Sequence, residues 1–283
     1  MAACVVAKGW QVRAFDANAK TLETFIASHP TATKCKSSAD AARGAQAVIT
    51  MLPDGRAVHQ AILGADGAAA SLQTGDLVID MTSSSPDDTR ELGAALAARG
   101  LAFIDAPVSG GVRAARIGKL ALMVGGDPAH LARGQELLGA MASAIFHLGA
   151  LGSGHAMKAL NNYVSAAALI STCEALVIGR ETGLDPTVMI DVMNASTGRN
   201  SATVDKAKQY ILSGTFGSGG ALSMLAKDVR FANAMGRRHG VTAELLQEIA
   251  GLLDRAEVQL GPQADHTEVF RVVRQSGSRR TEE

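Results

Sequence analysis

The sequence predicts a doubly wound parallel α/β sheet over residues 1–151, followed by an all-α domain over 152–272. Short apolar runs alternate with helical patterns through the first half, the rhythm of strand–helix units that build a parallel sheet. Beyond that point apolar residues recur only at helical spacing. Composition agrees: 30 glycines against 4% aromatic residues suit closely packed layers whose backbone approaches a ligand. Residues 273–283, with Gln275-Ser276-Gly277-Ser278, read as a disordered tail.

Taken in order, Ala2 to Lys8 is an expected helix that Gly9 stops, and Gln11 to Phe15 is a strand ending at Asp16. A helix over Lys20 to Ser28 follows. Ala45 to Leu52 is an apolar run halted by Pro53, as a buried parallel strand would be. Helix is then expected at Ala57 to Leu63 and Asp87 to Arg99, and strand at Asp76 to Asp80 and Leu101 to Asp105. After Gly154 the pattern predicts a long helix from His155 to Arg180, then helices at Pro186 to Asn194, Ser201 to Leu212, Ala221 to His239 and Ala243 to Gln259.

The chain has 283 residues, with 27 basic against 27 acidic side chains. That length is ample for two hydrophobic cores. A pI near 7.1 leaves no basic stripe of the kind that nucleic acid or an anionic membrane rewards. Cys4, Cys35 and Cys173 are odd in number, widely spaced and without a CxxC pair, so neither a disulfide framework nor a zinc site is suggested and a reducing cytoplasm fits. The run Tyr163 to Gly179 approaches membrane-span length but carries Glu174, Ser165, Ser171 and Thr172, which favours a buried helix. No signal peptide is expected at MAACVVAKGW.

In a dinucleotide-binding sheet an acidic residue ends the second strand, roughly 20 residues after a glycine-rich turn that holds the pyrophosphate. Asp16 occupies that place after Val12-Arg13-Ala14-Phe15, yet the only glycine ahead of it is Gly9. The expectation is therefore that the chain opens partway through the first helix, short of its first strand and glycine turn by about 12 to 18 residues. The plainer alternative makes Asp16 an ordinary turn residue.

Two further stretches bear on chemistry. Asp105-Ala106-Pro107-Val108-Ser109-Gly110-Gly111 follows a strand, and a Ser-Gly-Gly turn there presents a hydroxyl and unobstructed amides able to hold a carboxylate; as a bare pattern it equally suits a tight structural turn. Gly152-Ser153-Gly154 leads into a helix with Lys158 and Asn162 four apart on one face. A lysine with a neighbouring amide suits proton exchange with an alcohol or carbonyl oxygen, the alternative being a surface lysine at a helix start.

Together DAPVSGG at 105–111, GKLALMVGG after it, GSGHAMKALNN at 152–162 and Lys227-Asp228 resemble the β-hydroxyacid dehydrogenase family over about residues 1–272. The resemblance implies a Rossmann-type first domain, Lys158 as general acid/base and Asn162 as its substrate-binding amide. Ser109, Gly110 and Gly111 would hold the substrate carboxylate. Asp16 would bind the ribose, Leu52 and Pro53 would line the cofactor cleft, Ser83 (or its neighbour Thr82) would approach the nicotinamide half, and Lys227 would close over the cofactor. The implied cofactor is NAD, because a carboxylate repels a 2′-phosphate, with NADP possible given Arg13 and Lys20 nearby. The implied partners are a small carboxylate-bearing hydroxy acid or semialdehyde and further copies of the chain, as a homodimer or homotetramer. Gly217 to Gly220 and Ser196 to Asn200 depart from the family pattern where substrate choice is set. Two other readings are a non-catalytic relative that keeps the fold for dimerisation or binding, and an imine-reducing enzyme, which would not be expected to carry Lys158.

Overall fold

The computed structural model of the protein describes residues 1–278 and forms two compact units, one over Met1–Lys158 and one from Ala159 onward. In the first unit the order is α1 (Ala2–Ala7), β1 (Arg13–Ala14), α2 (Ala19–Ser28), β2 (Thr33–Lys34), α3 (Ser38–Ala42), β3 (Ala47–Thr50), α4 (Gly55–Leu63), β4 (Leu77–Asp80), α5 (Pro86–Ala97), β5 (Ala102–Asp105), β6 (Val108–Ser109), α6 (Gly111–Arg116), β7 (Leu120–Gly126), α7 (Pro128–Gly139) and β8 (Ala142–His147). The helix starts are chemically marked. Asn18, Ser37, Asp54, Ser85 and Asp127 each accept a backbone N–H of the turn that follows, and prolines open α5 and α7.

β3, β4 and β5 are parallel neighbours, with Thr50 opposite Asp80 and Asp80 opposite Asp105. The expected parallel sheet is thus present at β3, β4 and β5, and beyond them β7 runs antiparallel to both β5 and β6 while β8 is parallel to β7, so the six-stranded sheet is mixed. The reversal follows from Gly110 and Gly111, whose φ values of +122° and +64° turn the chain back at the end of β6. β1 and β2 form a parallel pair of their own, with no ladder to β3.

Successive strand residues enter opposite layers. Leu77, Ile79, Ala102 and Ile104 pack with Leu122, Val124 and Leu138, whereas Val78 and Phe103 pack with Ile62, Leu92 and Leu96. Burial on both faces is why these strands are continuous apolar runs in the sequence.

The second unit is helical: most of α8 (Ser153–Glu181), then α9 (Pro186–Ala195), α10 (Ser201–Asp205), α11 (Leu222–Arg238), α12 (Glu244–Leu260) and α13 (Val269–Ser278). Leu169, Cys173 and Leu176 of α8 meet Ile190, Val229, Leu253 and Phe270 in one core. By length and composition α8 could cross a membrane, but here its inward face is part of that core. Two expectations change. The helix expected over 201–212 breaks at Lys206 and continues as a π-helix over Ala207–Leu212. The tail expected from 273 is helical as far as Ser278, because Val269, Phe270, Val272 and Val273 have a core to enter; residues 279–283 lie outside the described residues.

Leu176 is fully buried, so Leu176→Ala should lower unfolding free energy by about 2–5 kcal/mol in a denaturant titration.

Candidate functional site

Four of the five sequence-predicted cofactor residues follow strands of the first unit, and the fifth, Lys227, lies on α11 of the second. Asp16 comes just after β1, Leu52 and Pro53 after β3, and Ser83 after β4, the carboxyl ends where open α/β sheets bind ligands. Asp16 is exposed, and its Oδ1 accepts the Asn18 N–H at 2.7 Å, which fixes the turn. Arg13 turns its guanidinium to α3, donating to the Asp40 carbonyl at 2.7 Å and the Ala41 carbonyl at 3.3 Å. The Lys36 N–H, helped by the Arg13 charge against a smaller effect of burial, holds the Asp40 carboxyl below its ordinary value.

Thr82 and Ser83 take different positions. Thr82 is fully buried, and its hydroxyl accepts the Leu52 N–H at 3.0 Å, tying the two cofactor-side loops together. Ser83 is half-buried, like Leu52, and Pro53 is exposed. Asp16 and these loops thus lie together at strand carboxyl ends, where an open α/β sheet receives a dinucleotide. A glycine-rich turn able to donate to its pyrophosphate is not found among the described residues ahead of Asp16.

Ser109 pairs with Ala121 across β6 and β7 and is half-buried, while Gly110 and Gly111 are exposed. Both glycines sit at positive φ, and a Cβ on Gly110 would meet the Ala114 Cβ at 2.7 Å. Conformation alone thus accounts for the glycine pair, and the turn it makes also leaves both residues accessible to a ligand.

Lys158 and Asn162, both half-buried, lie one turn apart on α8. Asn162 Nδ2 donates to Asp228 Oδ2 at 2.6 Å, and its Oδ1 accepts from Asn161 Nδ2 at 3.2 Å, so the orientation of the amide is set. Asp228 is only 3% exposed. Lys227 Nζ lies 4.0 Å from Asp228 Oδ1 and 5.9 Å from the Phe231 ring centre. Sequence reasoning quoted Lys227-Asp228 together but gave a role to Lys227 alone. The signal it missed was an acidic residue beside the buried helical stripe Leu222, Ala226, Val229 and Ala232. A groove of about 490 Å³ lined by Leu101, Phe103, His147 and Leu151 contains none of these residues.

The glycine-rich loop at 217–220 is fastened to the segment before α13. Asp265 is the helix cap there, accepting from Thr267 N–H at 3.0 Å, Ser218 Oγ at 2.9 Å and Gly219 N–H at 2.9 Å. Burial pushes the Asp265 carboxyl up, but the hydrogen bonds from Thr267, Ser218 and Gly219 together hold it below its ordinary value. His266, the residue after this cap, places its Nδ1 3.0 Å from the Gly220 carbonyl, which binds the loop.

Burial, reinforced by the Lys206 charge, holds the His266 imidazole below its ordinary value. The folded chain therefore resists a proton that the unfolded chain accepts near pH 6.5. The contribution to stability is complete above that pH and declines as pH falls through it. His266→Gln should flatten the loss of stability between about pH 7 and 5 in denaturant titrations, and an unchanged slope would contradict this.

Residues 1–149 match the family model for the NAD binding domain of 6-phosphogluconate dehydrogenase, and residues 152–273 match that for NAD-binding of NADP-dependent 3-hydroxyisobutyrate dehydrogenase. The chain is 32% identical over 241 residues to 2-(hydroxymethyl)glutarate dehydrogenase of Eubacterium barkeri, covering 85% of this chain and 79% of that protein. It is 39% identical over 202 residues to 3-hydroxyisobutyrate dehydrogenase of Pseudomonas aeruginosa, covering 71% and 67%. Among solved structures, Mycobacterium tuberculosis 3-hydroxyisobutyrate dehydrogenase with L-serine superposes with a TM-score of 0.85 at 33% identity, covering 96% of this chain and 94% of that one. With both units matched, by sequence and by fold, the chain belongs to the β-hydroxyacid dehydrogenases, a family of NAD(P)-dependent oxidoreductases.

Proposed function

We propose that the protein interconverts a small β-hydroxy acid and its semialdehyde or keto form, using NAD in preference to NADP. The observation that carries this reading is the Asn162 amide, oriented by Asp228 one helical turn from Lys158. When bound, the nicotinamide accepts or returns the hydride of the substrate carbinol carbon. Lys158 exchanges the hydroxyl proton at its Nζ, and Asn162 steadies the oxygen that loses or gains it. Ser109, Gly110 and Gly111 receive the carboxylate. Asp16 takes the ribose hydroxyls, Leu52, Pro53 and Ser83 bound the nicotinamide half, and Lys227 closes over the cofactor. The preference for NAD is supported by the exposed Asp16 carboxylate and by Arg13, whose guanidinium is bonded to α3.

The reading extends to a homo-oligomer, a dimer or a tetramer, because α8 and α9 expose Val164, Ile178, Val188 and Val192. It also places the enzyme in the cytoplasm, where Cys4, Cys35 and Cys173 stay as free thiols.

A panel of small hydroxy acids, 3-hydroxyisobutyrate and L-serine among them, assayed with each cofactor tests the activity. Turnover with at least one acid and faster turnover with NAD are expected. No turnover would sink the reading, and equal or better use of NADP would sink the cofactor preference. Lys158→Ala should cut kcat by roughly 10²- to 10⁴-fold and leave cofactor affinity, measured by calorimetry, nearly unchanged. Retained turnover would refute the role of Lys158.

A further inference from the structure

Two carboxylates that the mechanism does not use lie side by side where β4 and β5 end. Asp80 and Asp105 are register partners and are 2% and 0% exposed. Against them packs the imidazole of His155, itself 1% exposed, with Nε2 3.8 Å from Asp80 Oδ2 and Nδ1 3.7 Å from Asp105 Oδ2. Burying two like charges is costly unless each finds donors, and here each does. Asp105 Oδ1 accepts the Gly152 N–H and Oδ2 the His155 N–H, both at 2.8 Å, so the end of β5 caps the start of α8. Asp80 accepts from Thr50 Oγ1 at 2.8 Å, Thr82 N–H at 3.0 Å and Ser84 Oγ at 3.3 Å.

The imidazole itself spans two segments. Its Nδ1 lies 2.7 Å from Thr89 Oγ1 on α5, and its Nε2 donates to the Thr82 carbonyl at 2.8 Å. Thr82 in turn holds the Leu52 N–H through its hydroxyl. Close approach is built in. A Cβ on Gly154 would collide with the Met123 carbonyl, and one on Gly125 would come within 2.5 Å of Asp105 Oδ1 and 2.9 Å of the Gly154 nitrogen. Four segments therefore converge on one buried polar network: the Leu52 loop, the Thr82–Ser84 loop, α5 through Thr89, and the first turn of α8.

We propose that His155, seated by Asp105 and Asp80, is a positioning residue that fixes the turn of α8 bearing Lys158 against the Leu52 and Ser83 loops. Lys158 follows His155 by three residues, about one helical turn away. This inference rests on the function proposed above, since it makes the network the frame in which acid/base group and nicotinamide half are aligned. Misplacement of a reacting group by about 1 Å is enough to cost on the order of 100-fold in rate.

The test uses the full chain carrying His155→Gln or Asp105→Asn, with steady-state kinetics and amide hydrogen exchange. His155→Gln keeps one N–H able to reach the Thr82 carbonyl, and Asp105→Asn keeps shape while replacing an acceptor by a donor. The expected result is a kcat lowered by roughly 10- to 100-fold with KM for the hydroxy acid changed by less than about threefold. Amides 152–158 should exchange faster, while those of β3, β4 and the helical unit keep their protection. His155→Ala, with no donor left, should lose more kcat than His155→Gln. Should Asp105→Asn fail to fold, the two His155 variants decide. Unchanged kcat despite faster exchange at 152–158, or a loss of protection spread evenly over the first unit, would overturn the proposal. If the unaltered chain turns over none of the hydroxy acids, the functional reading fails by itself; exchange then decides for the seat, with a loss confined to 152–158 in support and any other pattern against.

Discussion

Two buried carboxylates at neighbouring strand ends impose the condition that organises the first unit of this protein. Asp80 and Asp105 are stable side by side because hydroxyls and backbone amides are aimed at them. Meeting that demand draws the beginning of α8 onto the sheet and closes the loops after β3 and β4 onto one another. The first turn of the helix that carries Lys158 is therefore held to the end of β5 by hydrogen bonds.

A second polar fixture serves the helical unit in the same manner. Asp228 is buried in α11 and holds the Asn162 amide, while Asp265 gathers the 217–220 loop through Ser218 and Gly219. In both units a buried or half-buried acidic residue orients the segments around it. The division of labour is physically sensible, because a carboxylate withdrawn from water can accept several hydrogen bonds and so orient several neighbours at once. The departures from the family pattern at 217–220 thus lie in a defined, rather than a loose, loop.

Much of the fold was legible because its signals are local. The runs Leu77 to Asp80 and Ala102 to Asp105 are buried on both faces and so stand out as unbroken apolar strands. The N-caps and prolines that open the helices are equally local. What escaped the sequence was set by partners far along the chain. The reversal of β7 depends on the conformation of Gly110 and Gly111, and the bonds from Asp105 to Gly152 and His155 join positions 47 and 50 residues apart. Asp105 could be read only as the lead into a Ser-Gly-Gly turn, and Gly154 only as a lead into a helix, because the close contact that explains both exists in the folded chain alone. The same holds for the last turns of α13, which read as a tail from 273 until the core that receives Val272 and Val273 is seen.

Asp105 and His155 act as one unit, and a double-mutant cycle on unfolding free energy tests that most directly. With Asp105→Asn, His155→Gln and the double variant measured by denaturant titration, a coupling of about 1 kcal/mol or more is predicted, since either change already breaks the shared network. Effects that add to within about 0.5 kcal/mol would contradict it and leave the two residues as independent neighbours.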